Sequence, residues 1–246
     1  MNDIELEDFT ITKREILVSI VIIALMIMFG FLISTKWSES QQESDIKYNK
    51  AIQIDNDTDL FQYGMDTNVG NAFVYSELKV VDPVTYPEIG GEYMFVKKVE
   101  ENYNMHTRTV TKRDSEGHTY TETEVYWSWD YEGEESKTCE MINFCGIDFK
   151  SSKIPFPGED YIDTLNCGYH VRFKYYGVPA VNKGTIFTNL KDKTINNTKY
   201  YNNMNLEETF RYVTTHLPMW LFWLLWIMLT GAAVLGFCYL ENKWLE

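Results

Sequence analysis

The chain has 246 residues, 45% hydrophobic, 15% aromatic and 24% charged, and its 36 Asp+Glu against 22 Lys+Arg give a formal net charge of −14. Phosphate contacts need clustered Lys and Arg, so this acidic balance argues against a nucleic-acid binder. There is no dinucleotide fingerprint, phosphate-cradling Gly-Lys-Ser/Thr loop, Gly-x-Ser-x-Gly elbow or His-Glu-x-x-His helix, so no cofactor is expected.

The hydrophobicity is concentrated at the two ends. Residues 1–15 form a short tail, acidic apart from Lys13 and Arg14, and residues 16–34 are nineteen without a charge. As a helix those nineteen make ~28 Å, about the thickness of a bilayer's hydrocarbon core. The exit Leu32-Ile33-Ser34-Thr35-Lys36 lacks a small-x-small cleavage site, which favours an uncleaved anchor over a signal peptide.

Residues 35–69 are polar and read as a stalk or a short exposed helix. Within them Asp55, Asp57, Asp59 and Asp66 hold the first, third, fifth and twelfth positions of a calcium-type loop. That spacing suits a hard cation, although Leu60 stands where such a loop turns on glycine. The other reading is a solvated acidic linker.

Residues 70–216 read as one predominantly antiparallel β domain. Residues 72–81 and 93–99 are β-branched and aromatic, with Asp82-Pro83 and Gly90-Gly91 between them. Residues 106–113 and 119–127 then flank the turn Asp114-Ser115-Glu116-Gly117. Alternation puts Arg108 and Lys112 on one face, where they can pair with Glu122 and Glu124 across the hairpin. Such a polar hairpin projects beyond the core, and its candidate partner contacts are Arg108, Lys112, Glu122, Glu124, Tyr126 and Trp129. The competing reading is a sheet edge kept soluble by charge. Rings alternate through residues 126–131, so one of their faces is expected to be core. Residues 169–176 and 184–190 complete the strands, and residues 206–217 read as helical.

Cys139, Cys145 and Cys167 lie in this domain, with His170 close behind. Three thiolates and an imidazole are a structural zinc set, but on an extended strand Cys167 and His170 point to opposite faces. A disulfide, Cys139–Cys145 or Cys145–Cys167, is the second reading, and buried unpaired thiols the third. Sequence proximity links no histidine into a nucleophile–base pair, so an enzyme reading has no positive feature beyond that cysteine cluster.

Residues 217–240 carry the second apolar run, with Pro218 at a first helical turn. Trp220, Trp223 and Trp226 form a stripe suited to lipid contact or to a partner's helix. Ala232 and Gly236 would let another helix approach, the first anchor being the obvious one. Residues 241–246 are a second tail. Lys13, Arg14 and Lys243 against Lys36 and Arg211 place both tails in the cytoplasm and the domain outside it. The expected class is a membrane protein whose two transmembrane helices flank one antiparallel β (α+β) domain.

The segments 91–100, 126–129 and 171–179 (Val171-Arg172-Phe173-Lys174-Tyr175-Tyr176-Gly177-Val178-Pro179) resemble, in order and type, the large domain of the LUMA family of endomembrane proteins. The family carries several helices after that domain, and this chain carries one. The resemblance implies a membrane scaffold that organises partners, with no catalytic residue to transfer. The function expected is binding or scaffolding, with other membrane proteins or a second copy as partners. An accessory subunit of a transport or channel complex, docked through the tryptophan stripe, is the alternative. A zinc- or thiol-dependent enzyme is the third.

Overall fold

The computed structural model describes the backbone of residues 4–6, 9–11 and 13–245, and the side chains of residues 14–241. Lys13 and Lys243, on which the expected orientation leans, have their side chains outside those described. The chain divides into a helical unit from residues 1–50 and 210–246 and a β-rich unit from residues 51–209.

In the helical unit β1 (Ile4–Leu6) and β2 (Phe9–Ile11) form a short antiparallel pair. Helix α1 (Lys13–Asn49) follows and runs unbroken for 37 residues, or ~56 Å, about twice the depth of a hydrocarbon core. Its first half is the expected apolar run. Its second half is the first part of the expected stalk, helical because Glu, Gln and Lys sustain a helix and neither Gly nor Pro interrupts it.

The rest of that expected stalk belongs to the β-rich unit. Strand β3 (Ile52–Asp55) lies parallel to β4 (Gly70–Val80), with Ile54 buried. Between them α2 (Thr58–Asp66) is capped by Asp57, whose carboxylate accepts the Leu60 N–H at 2.9 Å. Phe61 and Met65, one helical turn apart, are buried in the main core. The domain therefore begins near residue 51, not residue 70.

A long hairpin follows, β5 (Tyr93–Arg113) and β6 (Thr119–Thr138), and then β7 (Met141–Phe144) and β8 (Ile147–Lys150). The β7–β8 turn is Cys145-Gly146, both with positive φ (52° and 78°), a two-residue turn that matches strand twist. Strands β9 (Asp160–Asn166), β10 (Val171–Pro179), β11 (Val181–Lys191) and β12 (Thr194–Asn202) complete the sheets. One sheet has the order β6-β5-β10-β9, and the other β12-β11-β4-β7-β8 with β3 added to β4. All pairings except β3–β4 are antiparallel, so the class is α+β.

The main core lies on one face of the larger sheet, where Val74, Leu78, Ile142, Phe144 and Ile186 meet Phe61 and Met65 of α2. A smaller core, Tyr86, Val96 and Tyr175, sits on one face of the four-stranded sheet. Helix α3 (Leu206–Thr214) is capped by Asn205, which exchanges hydrogen bonds with Glu208, and α4 (Met219–Leu245) ends the described chain. Helices α1 and α4 are both long and apolar enough to cross a membrane.

Candidate binding surface on the hairpin and its sheet

The hairpin outruns its sheet. Strand β10 pairs with β5 only from Tyr93 to Asn102, whereas β5 and β6 stay paired to Arg113 and Thr119. Residues 104–113 and 119–128 therefore form a two-stranded ribbon, about 34 Å long at the antiparallel rise. The turn is tied by Asp114, whose carboxylate accepts the Glu116 and His118 amides, and by Arg113, which donates to the Gly117 carbonyl.

One face of the ribbon carries the expected charges, and they are spent on one another. Arg108 donates twice to Glu124 (3.0 and 2.8 Å), while Lys112 reaches Glu122 at 2.8 Å and Glu124 at 3.1 Å. Glu124 is held below the usual carboxylate range by Arg108 and then Lys112, and Lys112 is raised by Glu122 and then Glu124. Exposed pairs of this kind stabilise little, so they set solubility and register more than fold. Nearer the sheet, His106 meets Asp130 at 2.7 Å. Asp130 is lowered chiefly by Asn104, with His106 and Ser128 adding to it. The Ser128 hydroxyl donates to Asp130 and not to the imidazole, so no base faces a nucleophile here.

The other face carries no charge from Met105 to Thr111 or from Thr121 to Trp127. Thr107, Thr109 and Thr111 lie beside Thr121 and Thr123, with Met105, Val125 and Trp127 nearer the sheet. All eight are exposed.

At the ribbon's root this face continues into an aromatic stack. Tyr103 packs on Trp127 (5.4 Å, 25°) and Trp129 (5.1 Å), and His170 lies against Tyr103 and Trp127. Arg172 covers Trp129 at 4.2 Å and, with Lys174, holds Glu101. Burial alone would raise the Glu101 carboxyl, but Lys174 and Arg172 outweigh it and keep it low. The expectation that residues 126–131 bury one face is corrected, since Tyr126, Trp127 and Tyr131 are 45%, 48% and 62% exposed. The core-facing side of this sheet is instead the one bearing Val96 and Tyr175. Sequence reasoning missed the Glu101–Arg172–Lys174 group. Alternation shows that Arg172 and Lys174 share a face, but not which strand lies beside them.

The metal readings fail on geometry. Cys139 and Cys145 are buried in the main core, Cys167 is exposed at the end of β9, and His170 belongs to the aromatic stack, its Nδ1 3.1 Å from the Tyr103 carbonyl oxygen. Asp57 is the cap of α2, Asp59 and Asp66 lie in its first and last turns, and Asp55 closes β3. Winding the expected calcium loop into a helix spreads its carboxylates along the axis. Among the described residues no group of three His, Cys, Asp or Glu is placed to hold a metal ion. Cys139, Cys145 and Cys167 are not disulfide-bonded, so neither expected pair is formed. Burial pushes the Cys139 thiol up to about 11 and raises Cys145 as well, which makes both poor nucleophiles.

A polar cleft of ≈ 570 Å³ lies over the larger sheet, lined by Asp55, Asn56, Tyr75, Glu77, Lys79 and Lys183 among others. Lys79 and Lys183 both clasp Glu77, at 2.7 and 3.0 Å, and lower it. The Ser76 hydroxyl donates to the Asn56 side-chain oxygen. Both lysines are thus engaged by Glu77, and none of these contacts sets a base against a nucleophile.

The tryptophan stripe of α4 is largely internal to the helical unit. Trp223 packs on Phe31 at 5.2 Å, and the Trp226 indole donates to the Met26 carbonyl at 2.9 Å. Gly30 makes this possible, because a Cβ there would stand 2.6 Å from the indole nitrogen. Gly236, expected to admit the first anchor, has nothing within 4 Å of where its Cβ would be. Trp220 alone of the three is widely exposed, at 65%. No protein-family model, characterised protein or solved structure matches this chain, so its function is argued from these surfaces.

Proposed function

We propose that this chain is a membrane-anchored, non-enzymatic binding protein of the scaffold kind. In this reading the apolar half of α1 and α4 cross one bilayer, both tails are cytoplasmic, and the β-rich unit meets its partners outside the cytoplasm. The observation that carries the reading is the ribbon. Ten residues on each arm extend past the last flanking strand, contribute nothing to either core and present eight exposed uncharged side chains. Segments that project from a packed scaffold and lie outside its cores are where binding residues concentrate.

The LUMA-type resemblance agrees with a scaffold role and stands as part of the proposal. The subunit alternative is weaker, because Trp223 and Trp226 already face α1. The test replaces residues 104–128 by a two-residue turn in the full chain. After cross-linking in native membranes and mild extraction, partners should be lost while circular dichroism still reports a folded β unit. Partners retained by the shortened chain would sink the reading.

A further inference from the structure

The binding reading leaves the ribbon's uncharged face without an occupant. We propose that the occupant is a second copy of this chain, packed face to face through Thr107, Thr109, Thr123, Val125 and Trp127.

Charge points to self-association at this place. Residues 104–128 hold three cations (Arg108, Lys112 and Arg113) and four anions (Asp114, Glu116, Glu122 and Glu124), within a chain whose formal net charge is −14. Elsewhere two copies meet as strongly acidic bodies and repel. At the ribbon they meet near neutrality, and the charges of each arm are turned to the opposite face and paired there. Arg113 is the exception: it falls on the uncharged side, but at its far end, where it donates to the Gly117 carbonyl of the turn. Between Arg113 at the tip and Arg172 at the root, a foreign partner would find no charge on this face to steer it or to select it.

Shape agrees, and area sets the strength. Rows of β-branched threonine and valine give faces that stack sheet on sheet at about 10 Å, at the angle the ribbon's twist sets. A two-fold contact brings the same residues of both copies together and covers Met105 and Val125, each 58% exposed, and Trp127. A ribbon about 34 Å long and about 10 Å wide offers about 340 Å² per copy. Two copies then bury about 700 Å², short of the ~1,200 Å² of a stable soluble interface. The dimer is therefore weak in solution and depends on confinement to a membrane, which raises the effective concentration.

The test uses the full chain in liposomes, with Cys167→Ser to remove the exposed thiol. Thr109→Cys on the uncharged face and Val110→Cys on the charged face are each treated with a short bis-maleimide. Thr109→Cys should give the dimer and Val110→Cys little of it. Adding Thr107→Lys and Thr123→Lys should cut the dimer at least about tenfold, since like charges placed opposite one another cost more than the 1.4 kcal/mol that a factor of ten represents. Thr107→Ser with Thr123→Ser should leave it unchanged, which separates charge from misfolding. Equal yields at positions 109 and 110, or a dimer indifferent to the paired lysines, would overturn the proposal. If Thr109→Cys gives no dimer while ribbon removal still releases foreign polypeptides, self-association is wrong and the binding reading stands.

Discussion

Gly30 decides how α1 and α4 meet. The Met26 carbonyl lies one turn before it, and with no Cβ at position 30 the Trp226 indole reaches that oxygen and satisfies its own N–H in apolar surroundings. Gly30→Ala should force the indole away and cost the helix pair about 1–3 kcal/mol, the usual range for overpacking. Ser19 and Cys238, whose side chains are 3.9 Å apart on the two helices, supply the readout. Ser19→Cys should form an intramolecular disulfide with Cys238 on oxidation, visible as a gel shift, and adding Gly30→Ala should reduce its yield. An unchanged yield would mean that the glycine is not what seats the tryptophan. A second residue governs acid stability. The Glu88 carboxyl is drawn down to about 2 by its own backbone amide, then by Lys98 and the Tyr175 hydroxyl. Its folded pKa lies below its unfolded one, so its contribution is complete above the ordinary carboxylate pKa of 4.5 and is lost as pH falls toward 2. Glu88→Gln should flatten the acid limb of an unfolding curve between those limits and leave the neutral region's slope unaltered. A variant that keeps the full acid slope would assign that limb to other groups.

Helix α2 shows how an element can be hidden at the next scale. Its first residues follow Asp55-Asn56-Asp57, a run that by composition is linker, and nine residues are too few for periodicity to outweigh it. The signals were nonetheless present, with Asp57 in a capping position and Phe61 and Met65 one turn apart. What sequence cannot supply is the sheet that gives those two side chains somewhere to go. The ribbon is the opposite case. Its turn, its alternation and the pairing of Arg108 and Lys112 with Glu122 and Glu124 are local, so they were readable. The neighbours of β5 on the other side are set by β10, some seventy positions away, and so the Glu101–Arg172–Lys174 group and the open aromatic face were not. If α2 is core, Phe61→Ala should cost about 3–5 kcal/mol and Asp57→Ala about 1 kcal/mol in chemical denaturation. Both would stay within about 0.5 kcal/mol were the segment a solvated linker.

At the scale of the molecule, the uncharged runs at residues 16–34 and 219–240 were legible because a bilayer imposes its own length on a sequence. They fix the presence of two candidate spans but not their direction, since only Lys13, Arg14 and Lys243 weigh against Lys36 and Arg211. The cysteines provide a direct measurement of it. Cys139, Cys145 and Cys238 are buried, at 2%, 3% and 6% exposure, and burial also holds the first two thiols protonated. Cys167, at the end of β9 in the β-rich unit, is exposed. Thiolate character and access together decide reactivity, so a charged maleimide that cannot cross a bilayer should find one site in the folded chain. If the β-rich unit lies outside the cytoplasm, intact cells should label once per chain, Cys167→Ser should abolish the signal, and permeabilisation should add almost nothing. Labelling that appears only after permeabilisation would place the domain and its ribbon in the cytoplasm. The partners to look for would then be cytoplasmic ones, while the contact between two ribbons, which depends on shared confinement to one membrane face and not on which face, would be unaffected.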